Sequence, residues 1–311
     1  MARVESVFGL IGNTPLVGLH QLSPNPAVRI YGKLEGQNPG GSVKDRIALA
    51  MIEEAEAAGR LSPGDTVLEP SSGNTGIGLA MVCKARGYRL RIVLPENVSV
   101  ERRQLLEIFG AEVISSPAAD GSNGAIRVAQ ELEKEGGVVL LHQYANPANP
   151  GAHYRGTGPE IWRDCPEIDV FVAGLGTGGT LMGVGRFLRE RKPAVRIVAV
   201  EPPAGELVDG LRSLEEGYIP PIFDPDVLDR RLIVRARESI EWSRRLLEDC
   251  AILAGLSSGA ILAGAAKVAA GMDEGTVVAV LPDGGWKYLS TGAWTGDLDA
   301  VVERAKKIIY F

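Results

Sequence analysis

Lys44 is the residue of this sequence best suited to covalent chemistry on a carbonyl group. It lies in Asn38-Pro-Gly-Gly-Ser-Val-Lys-Asp-Arg46, where Asn-Pro-Gly-Gly is typical of a turn and Ser42 with Asp45 fits a helix capping box. Apolar residues recur from Ile47 to Ile52, which predicts a helix with Lys44 in its first turn. The positive end of that helix lowers the pKa of an amine, and lysine attacks carbonyls as the free base. Taken alone, the segment also fits an ordinary solvated lysine.

A second polar loop, Ser71-Ser-Gly-Asn-Thr-Gly76, follows the predicted strand Thr66 to Pro70 and precedes a predicted helix from Ile77 to Tyr88. Its hydroxyl groups and backbone N–H groups would meet at a helix N-terminus, which suits a carboxylate or a phosphate. The amide of Asn74 could also bond a ring hydroxyl or a phenolate. Alone, such a loop is more often a simple turn.

A third loop, Gly174-Leu-Gly-Thr-Gly-Gly-Thr180, follows an apolar strand that begins near Asp169. A helix is predicted from Leu181 to about Arg191, so the loop is a candidate phosphate cradle. The hydroxyl groups of Thr177 and Thr180 suit a terminal phosphate monoester, which needs more donors than a pyrophosphate.

The same loop allows a different interpretation. Gly174, Gly176 and Gly179 fit the G-x-G-x-x-G fingerprint, and Glu201 ends the next predicted strand about where a ribose-binding acid belongs. An NAD-dependent oxidoreductase is therefore an alternative, although it leaves the Lys44 and Asn74 loops unexplained.

The three loops together resemble the fold-type II pyridoxal-phosphate (PLP) family. Within it the chain is similar to the cysteine synthases, and most of all to the actinobacterial O-phosphoserine sulfhydrylases. The resemblance runs almost the whole length of the chain. Its motifs are Gly12-Asn-Thr-Pro-Leu16, Lys33-Leu-Glu35, Asn38 to Arg46, Glu69 to Gly76, Gln143-Tyr-Ala-Asn-Pro-Ala-Asn149, Gly174 to Thr180, Gly255-Leu-Ser-Ser-Gly259 and Tyr288-Leu-Ser-Thr-Gly292.

This resemblance implies a role for each candidate residue. Lys44 would form the Schiff base with pyridoxal 5'-phosphate and act as the catalytic base, Asn74 would bond the ring hydroxyl, and Ser257 would face the pyridine nitrogen. The cofactor phosphate would be held by Gly176, Thr177, Gly178, Gly179 and Thr180. The α-carboxylate of an amino-acid substrate would be bound by Ser71, Ser72, Gly73, Asn74, Thr75 and Gln143.

A serine at the position of Ser257 suits β-replacement chemistry. It cannot protonate the pyridine nitrogen as an aspartate would, so the ring is a weaker electron sink and side reactions are disfavoured. The structural alternative is a helix cap between the apolar run from Ala251 to Leu256 and a predicted helix from Ala260 to Ala270.

Arg212 is the candidate determinant of the leaving group. It lies in the irregular stretch from Glu201 to Asp229 and resembles the arginine of the O-phosphoserine enzymes. A guanidinium binds a dianionic phosphate bidentately and stays charged. The alternative is a surface arginine that pairs with Glu215 or Glu216.

The resemblance to the O-phosphoserine enzymes also implies a sulfur donor. It would be a ubiquitin-like carrier protein with a C-terminal thiocarboxylate, with sulfide as a poorer donor. The alternative activity is that of an O-acetylserine sulfhydrylase that uses sulfide.

The elements that position these residues predict an α/β fold. The chain has 311 residues, of which 45% are apolar, enough to bury a large core. Apolar strands alternate with helices, as in mainly parallel sheets covered on both faces. We expect two three-layer α/β domains of the tryptophan synthase β type: a smaller mobile domain (1–11 and 36–147) with the carboxylate loop, and a larger one (12–35 and 148–311) with the phosphate loop. The cofactor would lie between them.

Composition and net charge argue against several classes of binding partner. A net charge of −6 argues against nucleic acid, and Ala251 to Gly271 is interrupted by serines and a lysine, which argues against a membrane span. The three histidines and three cysteines form no metal or disulfide pattern, and no signal peptide is recognisable, so a cytoplasmic enzyme is expected. The resemblance adds a homodimer. The apolar end Ile308 to Phe311 fits either a packed terminus or a lid over the active site.

Overall fold

Two separate β-sheets organise the chain. The computed structural model describes residues 3–71, 73–96, 98–117 and 121–307. The strands are β1 (Leu16–Gly18), β2 (Val28–Leu34), β3 (Thr66–Pro70), β4 (Arg89–Pro95), β5 (Glu112–Ser116), β6 (Val139–Leu140), β7 (Val170–Gly174), β8 (Arg196–Glu201), β9 (Arg230–Ile233) and β10 (Gly275–Leu281).

The smaller sheet has four strands in the order β5-β4-β3-β6, all parallel. Side chains of a strand point alternately to its two faces, so β3 buries Val67 on one face and Leu68 on the other. Helices cover both faces: α1 (Lys44–Ala57), α2 (Asn74–Arg86) and α3 (Val100–Ile108) lie on one side and α4 (Gly121–Glu135) on the other.

The larger sheet has six strands in the order β1-β2-β10-β7-β8-β9, and only the pairing of β1 with β2 is antiparallel. Strand β7 buries Val172 towards α8 (Ala236–Cys250) and α9 (Leu256–Ala270), and Phe171 towards α6 (Gly158–Asp164) and α7 (Gly179–Arg191). The remaining α-helices of the described residues are α5 (Ala148–Ala152) and α10 (Leu298–Lys307). Two three-layer α/β units with mainly parallel sheets confirm the predicted fold class.

The local predictions near the site need two corrections. The capping box was wrong: Val43 is the N-cap of α1, and the carboxylate of Asp45 turns back to accept the N–H of Gly40 at 2.5 Å. Helix α9 begins at Leu256, so Ser257 lies in its first turn and not in a loop before it. In both places the residue just before the helix bonds the segment after β10: the N–H of Val43 donates to Pro282 O at 2.7 Å, and the N–H of Gly255 donates to Asp283 O at 2.9 Å.

Candidate active site

The candidate residues meet where the carboxyl ends of strands from both sheets come together. Strand β3 leads into the Ser71 loop, β7 into the glycine loop, and β10 into Pro282 and Asp283. Ligands in open parallel sheets bind at this edge, because the loops and helix N-termini there present unpaired N–H groups. One cleft is lined by Lys44, Ser71, Asn74, Gln143, Thr177 and Arg212 together.

Lys44 is the first residue of α1, and its side chain is half-buried at the cleft. Burial lowers the pKa of Lys44 from 10.5 to about 8, while the nearby carboxylate of Asp283 acts to raise it. The main cause is therefore desolvation, and not the helix terminus that the sequence suggested. At neutral pH a much larger fraction of this amine is free base than for an ordinary lysine, as a carbonyl nucleophile requires.

The glycine loop forms a compact anion cradle at the N-terminus of α7. Gly178 is the N-cap and has φ +86°, a conformation that favours glycine, and a Cβ on Gly179 would lie 1.8 Å from Asn149 Oδ1. Thr177 Oγ accepts the N–H groups of Asn149 Nδ2 at 3.0 Å and of Gly179 at 3.3 Å. Its own proton is then left to donate to a ligand.

His153 lies behind the second threonine of this loop. Its imidazole is 3.3 Å from Thr180 Oγ and 3.0 Å from Thr157 Oγ. Burial, the first cause, and the nearby cations Arg46 and Lys44 hold the pKa of His153 well below 6.5, so the ring is neutral. Two hydroxyl groups, the N–H groups of a helix start and a neighbouring lysine form a donor set that fits a phosphate monoester attached to an aldehyde. These residues therefore fit pyridoxal phosphate.

The Ser71 loop forms the opposite wall. Ser71 Oγ accepts the N–H of Gly76 at 3.1 Å, and Thr75 Oγ donates to Gln143 Oε1 at 2.7 Å. Gln143 is held from below by the buried Glu69, which accepts its backbone N–H at 3.0 Å. Ser72 and the tail Ile308 to Phe311 lie outside the described residues.

The cleft has two adjoining compartments that share Lys44, Asn74 and Thr177. One contains the whole phosphate loop and Ser257. The other contains the Ser71 loop, and its further lining side chains include Arg102, Gln143, Tyr144 and Arg212. Lys44 thus lies between the glycine loop, which is the candidate phosphate site, and the Ser71 loop, which is the candidate carboxylate site.

Arg212 is buried, with only 6% of its surface exposed. Its guanidinium carbon lies 5.1 Å from the ring centre of Tyr144 and 4.8 Å from that of Tyr218, in cation–π geometry. Within the described residues it makes no ion pair with Glu215 or Glu216, so the surface-pair alternative is wrong. Its Nη1 lies 3.5 Å from Asn123 Oδ1.

The dinucleotide alternative fails at Glu201. The carboxylate of Glu201 is buried and accepts the N–H of Leu214 at 2.9 Å and Arg231 Nη1 at 3.0 Å. These two bonds within the protein occupy the carboxylate, so it is not available to bind a ribose. The fingerprint glycines serve close packing, since a Cβ on Gly174 would meet Leu211 Cδ2 at 2.3 Å.

Five buried residues around the cleft were missed as site residues. Asp283 Oδ2 accepts Asn74 Nδ2 at 2.8 Å and the hydroxyl of Tyr288 at 2.6 Å. Lys287 donates to Asn74 Oδ1 at 2.7 Å. An ion pair of 2.7 Å joins Arg102 to Asp209. For Asp283 the available sequence signal was the polar turn Pro282-Asp-Gly-Gly285 after an apolar strand.

The described residues contain neither a membrane span nor a metal cluster. No helix among them has the length and apolar character needed to cross a bilayer. Nor does any group of three or more His, Cys, Asp and Glu side chains there have a metal-binding arrangement.

Comparison with known proteins agrees with this site. Residues 7–283 match the family described as pyridoxal-phosphate dependent enzymes. The chain is 46% identical to the cysteine synthase of Staphylococcus aureus over 304 residues, which cover 94% of this chain and 98% of that protein. The structure of an O-ureido-L-serine synthase superposes with a TM-score of 0.90, at 40% identity over 96% of this chain and 99% of the other. The structure of a cysteine synthase of Entamoeba histolytica superposes with a TM-score of 0.88. The two chains are 33% identical, and the match covers 98% of this chain and 96% of the other.

Proposed function

Because this chain belongs to the family of pyridoxal-phosphate dependent enzymes, we propose that it makes L-cysteine by β-replacement on an activated serine. O-phospho-L-serine is the favoured substrate. The observation that carries the proposal is the position of Lys44, a desolvated amine between the candidate phosphate site and the candidate carboxylate site. The similarity to two cysteine synthases supports the same reaction class.

Bound pyridoxal phosphate supplies an electron sink that weakens the bonds at Cα and lets a β-substituent leave. In the proposed assignment Gly176 to Thr180 hold its phosphate, Asn74 bonds its ring hydroxyl and Ser257 faces its pyridine nitrogen. These positions agree with the compartment that contains the glycine loop and Ser257.

Lys44 is proposed both to anchor the cofactor and to move the Cα proton. Its desolvated amine has a pKa near 8, so it can accept a proton from Cα and return it near neutral pH. The substrate α-carboxylate is proposed to bind Ser71, Ser72, Gly73, Asn74, Thr75 and Gln143, which would fix Cα beside Lys44.

Arg212 supports the choice of a phosphorylated substrate. Its guanidinium lines the carboxylate compartment between Tyr144 and Tyr218, where a dianionic leaving group would meet it. The second candidate function is β-replacement on O-acetylserine with sulfide. It ranks second because an acetate leaving group does not need the cation that Arg212 supplies. The similar cysteine synthase of Entamoeba histolytica, which is also called OASS, favours that candidate.

Further elements of the proposal rest on the resemblance of the sequence. They are a thiocarboxylated carrier protein as sulfur donor, with sulfide as a substitute, a homodimer, and a cytoplasmic location. The smaller sheet and its helices are proposed to move towards the larger one when substrate binds.

The test compares kcat/KM for O-phosphoserine and O-acetylserine, with sulfide as the common donor. Arg212→Ala should lower the O-phosphoserine value by about 10- to 10³-fold, the range for lost charged hydrogen bonds, and change the O-acetylserine value little. Arg186→Ala is the matched control, because Arg186 is exposed and pairs with Asp224. Equal losses on both substrates would refute the phosphate preference. Absence of cysteine formation from either substrate would refute the reaction class.

A further inference from the structure

Lys287 is a fully buried lysine beside the cleft whose role is not explained by the proposed reaction. It lies in the 3₁₀ segment Gly285–Thr291 that follows β10. Its ammonium donates to the carbonyl oxygens of Gly40 at 2.9 Å and Gly41 at 3.1 Å, and to Asn74 Oδ1 at 2.7 Å. An ammonium group has three N–H donors, so this set can satisfy all of them.

These contacts fix the orientation of the Asn74 amide. Lysine is only a donor, and an ionised carboxylate is only an acceptor. Asn74 lies between the two kinds of group, because its Oδ1 accepts from Lys287 and its Nδ2 donates to Asp283 Oδ2 at 2.8 Å. A flipped amide would place N–H against ammonium and oxygen against carboxylate, so only one orientation is stable.

The same contacts place Lys287 at the junction of three segments. The two carbonyl groups belong to the turn directly before Lys44, Asn74 begins α2, and Lys287 itself follows the central strand of the larger sheet. The turn fits tightly against it, since a Cβ on Gly41 would meet Trp286 Cζ2 at 2.8 Å and Lys287 Nζ at 3.3 Å.

Holding a turn with a buried ammonium group carries a large desolvation cost. Burial lowers the pKa of Lys287 from 10.5 to about 8, against the opposing effect of Asp283 and Asp45. A hydroxyl or amide side chain could satisfy a carbonyl without that cost. What a cation adds is polarisation of the amide it binds, because a charged donor on Oδ1 strengthens the N–H groups on the same amide as donors.

We propose that Lys287 is a positioning residue that locks and polarises the Asn74 amide so that its second N–H donates to the ring hydroxyl of bound pyridoxal phosphate. The proposal rests on the proposed role of Asn74. Nδ2 carries two N–H groups, of which Asp283 takes one, and Asn74 lines both compartments of the cleft. Lys287 itself does not contact the reacting atoms, and it acts through Asn74.

The test uses cofactor binding and spectra without any amino-acid substrate, so its failure is separate from failure of the proposed reaction. Apo-protein is titrated with pyridoxal phosphate, and the visible spectrum of the loaded protein is recorded against pH. Lys287→Met and Asn74→Ala should each weaken cofactor binding about 10- to 100-fold, as for the loss of a charged hydrogen bond. Both variants should also move the pH midpoint of the visible spectrum in the same direction and by a similar amount. The double variant should lie within about threefold of Asn74→Ala, because the two residues act as one unit.

Lys267→Met is the matched control, since that lysine is exposed and pairs with Glu238 on the surface. A merely structural Lys287 would give a lower melting temperature with a wild-type spectral titration, and its effect on affinity would multiply with that of Asn74→Ala. Either result overturns the proposal. If Lys287→Met does not fold, Lys287→Gln, which keeps N–H donors without the charge, takes its place. A crystal structure of the loaded wild-type protein in which Asn74 Oδ1 faces away from Lys287 Nζ would also overturn it.

Discussion

The desolvated amine of Lys44 should destabilise the cofactor-free protein, and Lys44→Met should remove this cost. One pKa unit corresponds to about 1.4 kcal/mol, so lowering the pKa from 10.5 to about 8 costs about 3 kcal/mol while the amine is protonated in both states. Methionine has a similar shape and no charge to desolvate. Apo Lys44→Met should therefore be more stable than the apo wild type by about 3 kcal/mol at pH 7.

The sign of the pH dependence follows from proton binding. Between about pH 8 and 10.5 the unfolded chain keeps the Lys44 proton while the folded chain has lost it. Stability of the wild type therefore rises with pH across this window, and the advantage of Lys44→Met shrinks. With these two pKa values the expected gain falls to about 2 kcal/mol at pH 9 and to below about 1 kcal/mol at pH 10.

Urea unfolding of the two apo-proteins at pH 7, 9 and 10 measures this gain. Lys267→Met serves as the control and should change stability little at any pH, because its side chain is 43% exposed. A gain that is absent, or that does not decline with pH, would show that Lys44 is not held as a desolvated amine. The argument for its nucleophilicity would then fail as well.

Three further variants test the site and its frame. Gly179→Ala should abolish cofactor retention, measured as visible absorbance after dialysis, because a Cβ would lie 1.8 Å from Asn149 Oδ1; wild-type retention would contradict this. Arg102→Met should lower the free energy of unfolding by about 3–5 kcal/mol in urea, since it leaves a buried aspartate unpaired, and a loss below about 1 kcal/mol would refute this. Tyr218→Leu should lower kcat/KM for O-phosphoserine by about 2- to 30-fold, the range for one cation–π contact, and an equal loss with O-acetylserine would refute it.

The sequence predicted the fold class and the three loops because these depend on local patterns. Apolar runs marked the strands, and the strand predicted from Thr66 to Pro70 has those bounds in the structure. Glycine loops between a strand and a helix marked the candidate anion sites. Since parallel strands end at a common edge, such loops are brought together by the topology itself.

The partners of the site residues could not be predicted in the same way, because they are tertiary contacts. Asn74 and Asp283 are separated by 209 positions, and Lys44 owes its lowered pKa to burial that no local pattern encodes. The start of α1 also depends on a tertiary contact, because the N–H of Val43 donates to the carbonyl oxygen of Pro282 at 2.7 Å. Asp45 makes a local contact that differs from a capping box, since its carboxylate accepts the N–H of Gly40.

The distribution of charge at the cleft differs from that of the whole chain. The net charge is −6, yet Lys44, Arg102 and Arg212 all line the carboxylate compartment. The charge of Arg102 is compensated by its ion pair with Asp209. The amine of Lys44 would be bound to the cofactor in the proposed assignment, so Arg212 is the cation of these three that would meet an incoming anion in the loaded enzyme. A concave wall of low dielectric concentrates the field of such a cation on a ligand. For a substrate that carries a phosphate, the position of Arg212 would therefore matter more than the net charge of the protein.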